Sequence, residues 1–346
     1  MLIAAATIKD SLPHVQRFVA GNLGGGLDHL VVFLDAPGEP GQDDVRAFLD
    51  EHPDVTCVRA GRGWWGSERP RALNERQCTN ASVVKHLLGP TAARWVFHVD
   101  GDEVVRLDRD VLAAVPDAQP AVQLAPREAV SKLSWDGEPT LFKRELGAAE
   151  LGVLHERGVL SEPSNRAYFN GHLQGKAGVR PTVPGSFGLH RALDAQGVVI
   201  PAHRDERLEL FHYESYSGAD FVRKWTAMVT SGPPASYRPG RAQHARELRD
   251  LIELGLPAEE LHDRLVAVYR ATTEDDVTAL QPLGVLLETD PLAGAHRPQV
   301  DADTVQTLRT GLGALRGEPK GGFFNGASGS RPETEDPPTR RRLFGR

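Results

Sequence analysis

The stretch Trp95-Val96-Phe97-His98-Val99-Asp100-Gly101-Asp102-Glu103 sets the reading of the whole chain. Its first five residues form a short apolar run that reads as a buried strand. The run delivers Asp100 to the strand's C-terminal end, and Gly101 lets the backbone turn there. Two carboxylates one residue apart offer hard oxygen ligands, which can share a divalent cation that also holds a diphosphate. The acidic pattern alone says little. Asp108-Arg109-Asp110 and Asp301-Ala302-Asp303 repeat it and read as solvated acids at helix ends. Only the first copy follows directly on an apolar strand.

Working upstream, residues 2–7, His29–Leu34 and Val55–Arg59 give three more strands. The second ends in Asp35. Helices fall between them: one capped by Ser11, one carrying Val45, Phe48 and Leu49, and a longer one over 70–88. Continuous apolar strands alternating with helices predict an α/β fold with a mostly parallel sheet and helices on both faces. Ligands of such sheets bind beyond the C-terminal strand ends. Asp35, the loop after Arg59 and Asp100 are therefore expected on one edge.

The middle, about 120–215, is richer in Gly, Pro and short β runs at 122–124, 176–180 and 208–211. From Ser217 the pattern turns helical, with Phe221, Trp225 and Met228, then Leu248, Leu251 and Ile252, then Leu261, Leu265 and Val268 on apolar faces. The predicted organisation is a main domain over 1–230, a helical C-terminal extension over 231–318, and a tail over 319–346 whose Gly, Ser, Pro and charge content reads as disordered.

The chain has 346 residues and a net charge of −7. That balance excludes general nucleic-acid binding, which needs a broad basic surface. Lys9 and Asp10 follow the apolar start at once, unlike a signal peptide. No apolar run reaches the roughly 20 residues of a membrane span, so no transmembrane segment and a cytoplasmic location are expected. Cys57 and Cys78 lack metal-binding spacing and read as reduced core thiols.

Several residues then qualify for chemistry. His212 ends a strand and precedes a helix start, where a neutral imidazole can complete a metal shell with Asp102. Lys176 and Arg180 flank Gly178 on one strand face and suit phosphate or a carboxylate, or else form a solvated edge. Gln77 and Asn80 sit on an otherwise apolar stripe of the 70–88 helix, with Arg76 beside them. They contact a nucleotide or form a buried amide pair. Trp64 and Trp65 stack on a sugar or base, or belong to the core. A carboxylate near this edge can also serve as a general base. Glu128, Asp136 and Glu138 are candidates, and the sequence does not choose among them.

Together these motifs resemble glycosyltransferases of the GT-A type (the nucleotide-diphospho-sugar transferase, Rossmann-like fold, whose sheet is mixed with helices on both faces), and most of all the bacterial family 2-like branch related to family 92. That branch opens with a strand, Lys-Asn-Glu and a helix; here Lys9 is kept, with Asp10 for Asn and Ser11 for Glu. Asp35 matches the Asp ending its second strand. Asp100-Gly101-Asp102-Glu103-Val104-Val105 matches its metal motif, and Gly175-Lys176 to Arg180 its Gly-Lys-x-x-x-Arg. His212-Tyr213, Ser217, Phe221 and Lys224 follow in the family's order.

The resemblance covers about 1–230. It implies a nucleotide-sugar donor, a glycan or other hydroxyl acceptor, and Mn²⁺ or Mg²⁺. It implies that Asp102 and His212 hold the metal and that Asp100 contacts the metal or the ribose. Lys9, Asp35, Arg76, Gln77, Asn80 and Trp65 would face the donor, and Lys176 and Arg180 phosphate or acceptor. Two rivals stand beside it. A nucleotidyltransferase usually carries a Gly-rich loop after the first strand, whereas Gly24-Gly25-Gly26 follows the first helix. An inactive relative that only binds glycans or partners is the other.

Overall fold

The computed structural model describes residues 1–230 and 239–324. The first half alternates β1 (Leu2–Ile8), α1 (Leu12–Gly24), β2 (His29–Leu34), α2 (Gln42–Glu51) and β3 (Val55–Arg59). One helical turn, α3 (Arg62–Trp65), leads to α4 (Leu73–Leu88) and then β4 (Trp95–His98). β1 pairs in parallel with both β2 and β4, and β2 with β3. All seven residues of β1 and all six of β2 are buried. Alternation sends them to two different cores. Leu2, Ala4, Ala6 and Ile8 meet Val15, Phe18 and Val19 of α1 on one face. Ile3 and Ala5 meet Ala81 and Val84 of α4 on the other.

The second half curls the sheet and mixes its directions. The turn after β4 leads into β5 (Glu103–Leu107), α5 (Arg109–Ala114), β6 (Ala121–Ala129) and β7 (Leu141–Arg144). Next come α6 (Ala148–Glu156), α7 (Asn165–Tyr168), β8 (Ala177–Val179), the pair β9 (Ser186–Phe187) and β10 (Ala192–Leu193), and β11 (Ala202–His212). β8 runs antiparallel to both β4 and β6, and β11 runs parallel to β6 and antiparallel to β5. The C-terminal ends of β4, β6 and β11 therefore share one edge with those of β1 and β2. The expected α/β class with helices on both faces is present: the first strands are parallel, as the strand–helix alternation predicts, and the sheet as a whole is mixed, as expected.

The two decoy acidic motifs are helix ends. Asp108 accepts hydrogen bonds from the amides of Asp110 and Val111, and Asp301 accepts from that of Thr304. Both satisfy the first amides of a helix, as N-caps do.

The C-terminal segment is more than helical. α8 (Gly218–Thr230), α9 (Pro239–Glu253) and α10 (Ala258–Thr272) pack around Phe221, Trp225, Leu248 and Tyr269. After α11 (Val277–Leu280), β12 (Leu286–Glu288) joins the main sheet beside β7, and Leu308 and Leu312 of α12 (Ala302–Ala314) enter the α4-side core. Residues 319–324, expected to be disordered, are placed against the body. Lys320 is buried and donates to the carbonyls of Trp64, Leu315 and Glu318. Residues 325–346 lie outside the described residues. No helix among the described residues is long and apolar enough to cross a membrane. Cys57 and Cys78 are free thiols, and burial pushes both up to about 12.

His29 gives the fold a measurable pH response. It is buried, and its Nε2 lies 2.8 Å from Thr56 Oγ1. Burial, with Arg309 and His52 nearby, lowers its pKa from 6.5 to about 4. The unfolded chain therefore binds this proton first as pH falls. Stability from His29 is intact above 6.5 and drains between 6.5 and about 4. Urea unfolding across that window should show a steeper loss for the wild type than for His29→Asn, by about 1.4 kcal/mol per pH unit. Equal slopes would refute the assignment.

Candidate functional site

The site forms where the turn after β4 meets the end of β11. Asp100 is anchored from two sides. Its carboxylate accepts from Gln77 Nε2 of α4 at 2.7 Å and from Lys176 Nζ at 2.7 Å. Lys176 is completely buried and also donates to the Leu189 carbonyl. Gly175 precedes it with φ of +62°, and a Cβ there would collide with the Leu124 carbonyl, so glycine is what lets this lysine enter. The Asp100 amide donates to Glu103 Oε2 at 2.7 Å, which closes the acidic turn on itself.

Asp102 faces the opposite side of that turn. Its carbonyl accepts from the Tyr213 amide, which pins the turn to the end of β11. Asp102 Oδ2 accepts from Lys224 Nζ of α8 at 2.7 Å, and Lys224 also donates to Glu214 Oε2 at 3.1 Å. His212 Nε2 lies 3.6 Å from Asp102 Oδ2 and 3.7 Å from Glu214 Oε2. Ser217 Oγ accepts from the Asp220 amide, a cap that starts α8 and sets Lys224 on its inner face. On the other side of His212, the His172 ring stacks at 4.8 Å, and His172 Nε2 lies 3.1 Å from Glu103 Oε1.

The charges are strongly biased. Burial raises the Asp102 pKa, but Lys224 and His212 outweigh it and hold the carboxyl well below its usual range. Burial likewise opposes ionisation of Asp100, and Lys176 and His98 reverse that. Burial disfavours a charged His212, yet Asp102, Glu214 and Glu103 push it up to about 9. The two aspartates and Lys224 remain partly exposed, at 22%, 26% and 20%, so they border solvent above a buried floor.

The donor set suits a cation. Asp102, His212 and Glu214 form one group, and Glu103, His172 and His212 a second, with the ligand atoms of each within 4.8 Å of one another. Nδ1 of His212 and of His172 is buried and without a hydrogen-bond partner among the described residues. Cis ligands about 2.1 Å from an octahedral ion lie about 3.0 Å apart, so small inward shifts would close either group.

The structure distributes the other sequence candidates differently. Asp35 does stand on the same edge, but Arg76 grips both its oxygens at 2.8 and 2.7 Å, and Arg69 adds a third contact. Lys9 is exposed and pairs with Glu39. Asn80 is a core amide that accepts from Trp64 Nε1 and donates to Thr7 Oγ1. Trp64 and Trp65 are both buried in the α4-side core, so Trp65 presents no open stacking face.

Arg180 lies at the wrong edge. β8 is antiparallel to β4, so Lys176 enters near Asp100 while Arg180 stacks over Trp95 and donates to the Val115 and Pro116 carbonyls. Asp136 is exposed on the β6–β7 connection, and neighbouring Glu138 pairs with Arg17. Glu128 is interior. It pairs with buried Lys143 at 2.7 Å and accepts from the amides of Asn170 and Gly171. It holds the loop that carries His172 and offers no open carboxylate.

Sequence reading assigned no role to Glu103, His172, Glu214 or Lys224. Glu214 had a usable signal, because it lies two residues beyond His212 and so shares its side of an extended chain. His172 had none. Its loop is set by Glu128, 44 positions earlier in the sequence, and no local pattern records that.

Glu128 shares buried Lys143 with Asp275 and also holds two loop amides, so Glu128→Ala is expected to cost about 2–3 kcal/mol of unfolding free energy, less than the loss of a sole partner. Chemical denaturation measures it, and an unchanged midpoint would mark Glu128 as dispensable to the fold. Neither a scan against protein-family models nor a search of the curated proteins finds a match for this chain, so the functional reading rests on the geometry of this site.

Proposed function

We propose that the chain is a metal-dependent glycosyltransferase of the GT-A type, which moves a sugar from a nucleoside-diphosphate donor to a hydroxyl acceptor. One observation carries the reading: Asp100, Asp102, His212 and two lysines converge on the edge where the parallel strands end. That edge is where α/β sheets take ligands. The order of these residues along the chain is also that of the family the sequence resembles.

His212 would hold a divalent ion, with Asp102 and Glu214 on one side of it and Glu103 and His172 on the other. Such an ion would stabilise the charge that develops on the departing diphosphate. The chain's own groups do the rest. Lys224, partly exposed above the acids, offers an ammonium to phosphate oxygens. Lys176 is too deep to touch substrate and acts by fixing Asp100, whose ionised carboxylate accepts a ribose hydroxyl. Gln77 fixes the same carboxylate from α4 and keeps it from turning toward Asp102.

Release of nucleoside diphosphate from a panel of nucleotide-sugars, with and without Mn²⁺, tests the proposal. Turnover should require the ion and fall by about 10²-fold or more in His212→Ala and in Lys224→Met, the loss typical of removing one preorganised charge-stabilising group. Equal turnover in wild type and His212→Ala, or none from any donor, would sink it.

A further inference from the structure

The two ligand groups share His212, so one ion chooses between them. They differ in what already neutralises them. Lys224 Nζ sits 2.7 Å from Asp102 Oδ2 and 3.1 Å from Glu214 Oε2. These are the two oxygens that face His212 Nε2. An ammonium thus already serves both carboxylates of the first group, and a dication entering there meets a like charge at its own ligands.

The second group is built differently. Glu103 Oε1 and His172 Nε2 lie 3.1 Å apart, close to the roughly 3.0 Å separation of cis ligands on an octahedral ion. Lys176, the neighbouring cation, is 4.0 Å away on the other oxygen, Oε2. The His172 and His212 rings stack with 26° between their planes, and both rings keep a buried Nδ1 with no hydrogen bond among the described residues. The loop is held to this geometry. Glu128 takes the Asn170 amide at 2.7 Å and the Gly171 amide beside it. A Cβ on Gly171 would stand 2.7 Å from Glu128 Oε2 and 2.8 Å from His212 Nδ1, so only glycine lets His172 close over His212.

We propose that Glu103, His172 and His212 form the ion's primary site, and that its two imidazoles make it prefer Co²⁺ or Zn²⁺ over Mg²⁺. Imidazole nitrogen favours the later first-row dications, whereas Mg²⁺ is served by oxygen ligands and water. Asp102 and Glu214 then face the site through Lys224 and are not its main ligands. The inference rests on the metal-dependent reading given above and specifies which residues and which ions it involves.

Calorimetric titration of the full chain with Co²⁺ and with Mg²⁺, together with the visible d–d spectrum of bound Co²⁺, tests it without any turnover assay. The wild type should bind Co²⁺ at least ~10-fold more tightly than Mg²⁺. His172→Ala should lose at least ~10-fold in Co²⁺ affinity, the least that even an outer-shell partner typically costs, and change the Co²⁺ spectrum. His172→Gln, which keeps a hydrogen-bonding group against Glu103, should lose the same and covers the case in which the alanine variant does not fold. Asp102→Ala should keep Co²⁺ binding within a few-fold. Unchanged Co²⁺ binding in both His172 variants, with loss in Asp102→Ala, would put the ion on the Asp102 side. That result overturns this inference and leaves the metal-dependent reading standing. No dication binding by the wild type overturns both.

Discussion

The ion pair between fully buried Lys176 and Asp100 is the constraint on which the rest of the site depends. A fully buried ammonium is tolerated only when its charge is met and its protons are accepted. Lys176 meets that condition through Asp100 and the Leu189 carbonyl. The pair ties β8 to the turn after β4, and Gln77 ties the same carboxylate to α4. With Asp100 fixed, the Asp100 amide fixes Glu103 and the Asp102 carbonyl receives Tyr213. The acidic turn is therefore held from β8, from α4 and from the end of β11 at once. Preorganisation of this kind lets charged groups stabilise a developing charge without reorienting.

Asp102 and Asp100 have complementary surroundings although they are two residues apart. Each is paired to a lysine from a different part of the chain, Lys224 for one and Lys176 for the other. Lys176 is sealed in and serves architecture. Lys224 borders solvent and can exchange its partners. The same residue types two positions apart thus sit in different surroundings, one beside a sealed cation and one beside a cation that borders solvent.

Much of this was legible because the signals were local. β1 and β2 are continuous apolar runs covered on both faces, and such runs have few alternative readings. The decoy motifs at Asp108 and Asp301 were separable because each begins a helix. Errors arose where pairing partners decide the outcome. Lys176 and Arg180 share a strand face by alternation, yet an antiparallel strand carries its two ends to opposite edges of the sheet. The short apolar run at 122–124 gives no sign that β6 continues to Ala129, which takes Glu128 between β7 and β11. β12 has three residues, too few for any periodic pattern.

The return of the C-terminal segment to the first strands has a consequence for how the chain is made. Asp28, fully buried beside β1, collects the Leu2 amide, Arg109, His296 and the Gln299 amide. Leu308 and Leu312 complete the core under Ile3 and Ala5. On a ribosome adding about 5–20 residues per second, the first strands wait about 15–60 s for those partners to emerge. During that interval α4 covers that face of β1 without α12, the side of α4 that receives α12 stays open to solvent, and Asp28 lacks His296 and the Gln299 amide.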